Sequence, residues 1–199
     1  MKLVEDSDAW IAFPQYRKWF DKLYLAQTLG HHCGPSGLAP TKSDYYIVRP
    51  TYNLSGMGAG ARIQFIEQND ASCVEPGYFW CEIFSGTHYS ITYVNNKWHN
   101  CWAAHYSDSL RISKWTRTDK RIELPTFITE LNAPVLNVET INDKIIEIHF
   151  RHSPDPDYDE LIPVWSDMPI EKDSSYRYIE SFDNANSFLP FYRKGFYVK

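Results

Sequence analysis

At 199 residues, 43% hydrophobic and 16% aromatic, the chain is long enough to bury a core and too rich in rings to stay disordered. Its formal charge of −5 and pI near 5.8 lack the basic excess of a general nucleic-acid binder. No run approaches the roughly 20 apolar residues of a membrane span, and Glu5, Asp6 and Asp8 interrupt any leader-like stretch. These features predict a cytoplasmic protein with neither nucleic-acid nor membrane partners, built as one domain or as two small lobes sharing a cleft. Cys33, Cys73, Cys81 and Cys101 show no CxxC spacing, so reduced and mostly buried thiols are expected.

In chain order, the first predicted element is a helix. Pro14 suits its first turn, Tyr16, Trp19, Phe20, Leu23 and Ala26 recur at helical spacing, and Gly30 is placed to end it. Lys22 lies within it and, taken alone, reads as a solvated helix lysine. His31 to Pro40 is loop, and its His31-His32-Cys33 run is weak support for a metal or thiol site.

Tyr45 to Val48 is rich in β-formers and is closed by Arg49-Pro50. Thr51 to Gly60 then carries Gly56, Gly58 and Gly60, and glycines let successive backbone N–H groups turn toward one anion. The spacing is neither a P-loop nor a dinucleotide fingerprint. Ala61 to Glu67 alternates apolar and polar residues, which predicts a second strand and a β-hairpin with an ordinary tight turn as the plain alternative.

Gln68 to Gly77 is polar, turn-rich and too short for a long helix. Tyr78 to Phe84 is an apolar run broken only by Glu82, a carboxylate that needs a donor there: a nearby Arg or Lys, or a nucleotide amine or hydroxyl. A strand from His88 to Val94 follows, with a turn at Asn95-Asn96. Trp98, Trp102 and Trp115 are interleaved with Arg111, Lys114 and Arg117. That pattern can serve single-stranded nucleic acid, but strands with aromatics on a core face account for it more simply.

The most informative stretch is Pro134 to Arg151. Two strands, Val135 to Glu139 and Ile145 to Phe150, flank a turn at Asn142-Asp143; period two places Glu147, His149 and Arg151 on one face, with Ile146, Ile148 and Phe150 toward the core. Antiparallel pairing brings Glu139 beside Glu147, a repulsion that Mg²⁺ carrying phosphate oxygens relieves; an exposed polar face is the alternative. After Arg151 an acidic, proline-broken segment reads as a solvated loop or a lid. The aromatic C-terminal segment, Ser181 to Lys199, is expected to pack on the body.

Taken together, Asp21-Lys22-Leu23, Val48-Arg49-Pro50, Ser55-Gly56-Met57-Gly58, Trp80-Cys81-Glu82-Ile83-Phe84-Ser85-Gly86, Asn137-Val138-Glu139 and Ile146-Glu147-Ile148-His149 stand in an order that resembles the ATP-grasp superfamily, from about Trp19 to Arg151. The resemblance implies an α+β fold in which two small lobes, residues 1–77 and 78–199, clasp ATP. It implies that Lys22 and Arg49 touch the nucleotide phosphates, that Ser55, Gly56, Met57, Gly58, Ala59 and Gly60 close over them, and that Glu82, Ile83 and Phe84 receive adenine. Glu139, Glu147 and His149 fall at the ligands of Mg²⁺ or Mn²⁺, and Arg151, with Arg49, at the transferring phosphoryl group. The implied activity is ATP-dependent ligation, in which a small carboxylate becomes an acyl phosphate that an amine or thiol attacks. The alternative is a nucleotide-binding or structural protein that keeps the fold without the chemistry.

Three departures stand out. Arg49 replaces the more usual Lys, His149 replaces the usual Asn and suits Mn²⁺ at least as well as Mg²⁺, and the family's additional N-terminal substrate domain has no counterpart before Trp19. The expectation is a minimal unit whose substrate side is reduced, lost or supplied by a partner subunit, with a homodimer as one way to cover its aromatic surface.

Overall fold

The computed structural model describes residues 3–54, 58–107, 111–167, 175–181 and 192–199. Helix α1 (Asp6–Ala12) leads into a 3-10 helix (Pro14–Phe20) and α2 (Lys22–Thr28). The strands follow as β1 (Cys33–Pro35), β2 (Asp44–Pro50), β3 (Arg62–Ile66), β4 (Tyr78–Cys81), β5 (His88–Val94), β6 (Lys97–Tyr106) and β7 (Ile112–Thr118). A short α3 (Thr126–Thr129) precedes β8 (Val135–Ile141), β9 (Lys144–His149), β10 (Glu160–Trp165), β11 (Arg177–Glu180) and β12 (Arg193–Val198).

Among the described residues the strands form two antiparallel sheets, one ordered β1-β4-β2-β3 and the other β11-β12-β10-β7-β6-β5-β8-β9. The α+β class expected from the sequence is the one observed. The sheets and cores run across the boundary expected after Gly77, and α2 touches both sheets, with Ala26 packed on Phe79 and Cys81 of the smaller one. Strand β4 completes the smaller sheet by pairing with β1 and β2, so that sheet runs on to Cys81. The N-terminal helices pack on the larger sheet: Ala9, Trp19, Phe20 and Leu25 share one core with Ile91, Leu136, Val138, Ile145, Ile148 and Phe150. Burying a side chain such as Phe150 contributes about 1.5–3 kcal/mol.

The single predicted helix is in fact two. Its apolar residues keep their spacing, but Asp21 leaves helical geometry (ψ 105°) and accepts from Tyr24 N at 2.8 Å, so it caps α2. Lys22 thereby becomes the first residue of α2 rather than an interior one. Its own N–H donates to Thr51 O (2.9 Å), which fixes the helix start against the chain leaving β2.

The hairpins follow their turn residues. Asn95 and Asn96 both take positive φ (50° and 61°) and join β5 to β6 by the two-residue turn that matches strand twist. The β2–β3 hairpin forms as expected, yet Ile63 is exposed on the cleft side while Ile66 enters the core of the smaller sheet with Tyr46, Val48 and Trp80. Gly60 closes the approach to β3 at φ +80°, where a Cβ would lie 2.9 Å from the Pro50 ring and 2.9 Å from Tyr78 Oη, so no larger residue fits.

Trp102 and Trp115 are buried beside Phe196, and Arg117 lies over the Trp102 ring, which commits these rings to the core. The C-terminal segment returns as β12 between β10 and β11, with Phe196 and Val198 buried. Phe182, Phe188 and Phe191 lie outside the described residues, as do Ser55, Gly56 and Met57 of the glycine-rich loop.

Candidate functional site

The two sheets face one another across a cleft of about 780 Å³. From the smaller sheet and its loops come Ile47, Arg49, Ile63, Gly58, Ala59, Cys81, Glu82, Ile83 and Phe84; from the larger come His88, Asn137, Glu139, Glu147, His149 and Arg151, and Lys22 enters from α2. Every sequence-predicted site residue within the described segments lies at or beside this cleft except Gly60, which braces its loop from behind.

Register explains how the acidic pair forms. Strands β8 and β9 place Glu139 opposite Glu147, and Asn137 opposite His149. Asn142 turns the hairpin at φ 51°. Its side chain accepts from Thr87 N at 3.0 Å and donates to Ser85 O at 3.1 Å, anchoring the turn on the segment before β5. Between Glu147 and the turn the pairing skips Ile146, a bulge that corrects the strict period of two: Ile145 and Ile148 are buried, while Ile146 is turned to the cleft. Its carbonyl, released from the ladder, accepts from Arg49 at 2.8 Å and so ties the two walls together.

The charges around Glu147 and His149 are organised in a buried network. Asp6, only 3% exposed on α1, accepts from Arg151 Nε (2.9 Å) and NH2 (3.0 Å) and bonds His149 Nδ1 at 2.9 Å. Lys22 Nζ lies 2.6 Å from Glu147 Oε1. A buried cation at a helix N-terminus is disfavoured by the peptide dipoles, so Glu147 supplies the charge that holds it there. Three carboxylates, Asp6, Glu139 and Glu147, therefore face three cations, Lys22, His149 and Arg151.

Burial would lower the His149 pKa, but the Asp6 and Glu147 carboxylates outweigh it and raise it to about 9. Burial would likewise raise Asp6, whereas the His149 and Arg151 cations hold it at about 2. Glu139 also resists its burial and is held well below the usual carboxylate range by His149 and His88.

The far side of the His149 ring is less complete. Nε2 is buried without a hydrogen-bond partner, 3.6 Å from Glu139 Oε1 and 3.7 Å from Glu147 Oε1. One donor atom from each of Glu139, Glu147 and His149 lies within 4.8 Å of the others. Two carboxylate oxygens and one imidazole nitrogen make a donor set for a divalent ion of the Mg²⁺–Mn²⁺ kind, which the nitrogen tilts toward Mn²⁺. Binding there would displace the proton on Nε2.

Two site residues behave differently from expectation. Arg151 reaches the cleft, but its guanidinium is held by Asp6 and by the His152 carbonyl (3.1 Å), which makes it the support of Asp6 first. Glu82 stands just past the end of β4 and accepts from the His32 main-chain N–H at 2.8 Å, so its donor is neither a side-chain cation nor a ligand. Arg49 stacks over Phe79, and its Nε is buried without a partner.

Three contributors were not singled out in the sequence: Asp6, His88 and Tyr106. His88 Nε2 lies 3.4 Å from Glu139 Oε2, and its Nδ1 shares a hydrogen with Tyr106 Oη at 2.5 Å. A polar residue opening an otherwise apolar strand was the available signal for His88; Asp6 gave none, since its partners lie 143 and 145 residues away. The acidic segment after Arg151 also joins the site, with Asp155 paired to Arg193 at 3.1 Å and Ser153 and Pro154 on the cleft wall.

No protein-family model and no curated protein matches the sequence. Among solved structures, the chain is similar to a protein from Archaeoglobus fulgidus assigned to the ATP-grasp superfamily, at 11% identity and a TM-score of 0.48, over 92% of this chain and 65% of that one. It is also similar to the D-alanine–D-alanine ligase from Bacillus anthracis, at 13% identity and a TM-score of 0.31, over 54% of this chain and 44% of that one. The chain thus spans less than two thirds of either protein. Among the described residues no helix is long and apolar enough to cross a membrane.

Proposed function

We propose that the protein is an ATP-dependent carboxylate ligase of the ATP-grasp type, converting a small carboxylate to an acyl phosphate that an amine or thiol then attacks. The observation that carries this reading is the meeting, in one cleft, of the Glu139–Glu147–His149 donor set with the cations Lys22 and Arg49. The network is already balanced in charge, so a bare divalent ion would leave it positive. An ion arriving with a polyphosphate brings its own counter-charge, which favours a metal–nucleotide pair over metal alone.

In this reading adenine lies toward Glu82, Ile83 and Phe84, and the phosphates lie toward Lys22, Arg49, Gly58 and Ala59. Glu139, Glu147 and His149 would hold Mg²⁺ or Mn²⁺, and such an ion would supply charge neutralisation for the phosphoryl group under transfer. With Glu147 engaged in the donor set, the Lys22 ammonium would be free to pair with the phosphates. Arg49 offers Nε from the opposite wall. Arg151 acts through Asp6: it fixes the carboxylate that orients His149, and so positions the donor set. The carboxylate substrate and its acceptor have the part of the cleft bounded by His88, Tyr106, Trp115 and Trp165.

The test is ADP release from ATP with a panel of small carboxylates, with and without amines, in Mg²⁺ and in Mn²⁺. Ligase activity requires ADP release that depends on one class of acid and disappears in Glu147→Gln. A second reading, nucleotide binding without turnover, is favoured by the Lys22–Glu147 contact of 2.6 Å, which satisfies the metal-free site internally. It predicts saturable ATP binding and no ADP with any acid.

A further inference from the structure

Strands β1 and β4 bring together two cysteines that stand 48 positions apart in sequence, Cys33 and Cys81, as direct partners across an antiparallel ladder. The ladder bonds fix which kind of pair they are. Glu82 N donates to His32 O at 2.9 Å, and Ser36 N donates to Tyr78 O at 3.2 Å, so the pairs flanking and alternating with Cys33–Cys81 are the hydrogen-bonded ones. Cys33 and Cys81 therefore occupy a non-hydrogen-bonded position. There the Cα atoms of opposed residues approach to about 4.5 Å and their side chains project to the same face. That separation falls within the roughly 4.4–6.8 Å that a disulfide spans.

We propose that Cys33 and Cys81 form a cross-strand dithiol site that peroxide-class oxidants convert to an intramolecular disulfide. The two sulfurs are unequal in a useful way. Cys33 is half-buried and Cys81 is buried. A hydrogen bond from Cys81 and the nearby Arg49 charge lower the Cys33 pKa against the opposing effects of burial and Glu82, whereas Cys81 is pushed well up. Cys33 is thus the attacking thiolate. Its sulfur takes one oxygen of hydrogen peroxide, forming a sulfenic acid as the O–O bond breaks and hydroxide leaves. The Cys81 thiol then displaces that hydroxyl as water, forming the S–S bond. Across both steps two thiols lose two electrons and two protons, and one peroxide becomes two waters. The bond would tie β1 to β4 one residue before Glu82, at the cleft edge. Cys73 and Cys101 are not ladder partners of any cysteine among the described residues.

The experiment treats the reduced, purified protein with hydrogen peroxide, blocks remaining thiols with iodoacetamide, and maps non-reduced peptides by mass spectrometry. In parallel, Ellman titration under denaturing conditions counts thiols. The expected result is one linked peptide joining Cys33 to Cys81, with titratable thiols falling from four to two and returning to four with dithiothreitol. Cys33→Ser is expected to give no linked peptide and to leave Cys81 alkylatable; the wild-type map stands on its own should that variant fold poorly. Recovery of Cys33 as sulfinic acid beside an alkylated Cys81, a link through Cys73, or four thiols throughout would overturn the proposal. Each of these readouts is independent of nucleotide binding.

Discussion

On the α1 side of His149 the polar groups are satisfied: Asp6 engages both carboxylate oxygens with His149 and Arg151, in a position almost closed to solvent. On the cleft side of the same ring, Nε2 faces Glu139 and Glu147 at 3.6 and 3.7 Å without a hydrogen bond, and Glu139 keeps 27% of its side-chain surface. Both regions are built from carboxylates around one imidazole, yet only the second has coordination left to offer. Buried polar groups that are fully paired specify a structure, and those that are not mark where a ligand belongs. Under the proposed function, the contrast assigns Asp6 to folding and the Glu139–Glu147 pair to binding.

The largest expected effect separates the two regions outright. Asp6→Asn leaves His149 and Arg151 without their counter-charge in a buried position, which costs about 3–5 kcal/mol. For a chain of this length that is a fall in Tm of roughly 6–20 °C, measured without any ligand. A loss below about 1 kcal/mol in denaturant unfolding would mean that Asp6 is not the keystone of the network.

Next is Glu147→Gln. Its amide oxygen still accepts from Lys22 but no longer supplies the charge that holds that buried ammonium, so ligand-free stability falls too, and the diagnostic readout is the ligand-dependent increment measured from the variant's own baseline. The increment that saturating metal–ATP adds, about 2.7 kcal/mol at 100 times Kd, should vanish. Equal ligand-induced shifts in variant and wild type would remove Glu147 from the binding set.

Acid titrates Asp6 and also Glu139, which is held low by His149 and His88, so the Asp6 component is the difference between wild type and Asp6→Asn. The Asp6 pKa is depressed from 3.8 to about 2, so its stabilising contribution is complete above about pH 4 and is lost as pH falls through 2. A carboxylate held that far below its ordinary value contributes on the order of 2 kcal/mol when fully ionised. Unfolding free energy measured from pH 5 down to pH 2 should lose that component in the wild type, and Asp6→Asn should be flatter over the same range. Parallel pH profiles would contradict the assignment.

The smallest effect on folding is expected at the open region. Glu139→Gln, at a position that keeps 27% of its side-chain surface, should lower ligand-free stability less than Asp6→Asn does while abolishing the metal-dependent increment. Strong destabilisation without ligand would move Glu139 into the structural class with Asp6.

The open region was largely readable in the sequence, and the closed one was not. Alternation in residues 135–150 and a turn at Asn142-Asp143 fix a local register, and local register is what sets Glu139 against Glu147. The same pattern hides the bulge at Ile146, because one skipped residue leaves the apolar composition of a strand unchanged. Asp6 escaped for a different reason: its bonds to His149 and Arg151 are wholly non-local, and an aspartate at the start of a short helix has an ordinary local explanation. The helix break at Asp21 is a third case. Apolar spacing continues through it, so only the capping bond to Tyr24 reveals that Lys22 begins a new helix with its ammonium on Glu147.

The most direct test of the central claim is thermal unfolding of wild type and Glu147→Gln with and without ATP, in Mg²⁺ and separately in Mn²⁺. A metal–nucleotide site in this cleft predicts a rise of roughly 5–11 °C in the wild type at saturating ATP that requires a divalent metal, is at least as large in Mn²⁺, and is absent from the variant. A cooperative wild-type transition that stays at one temperature in all of these conditions would contradict the nucleotide–metal site.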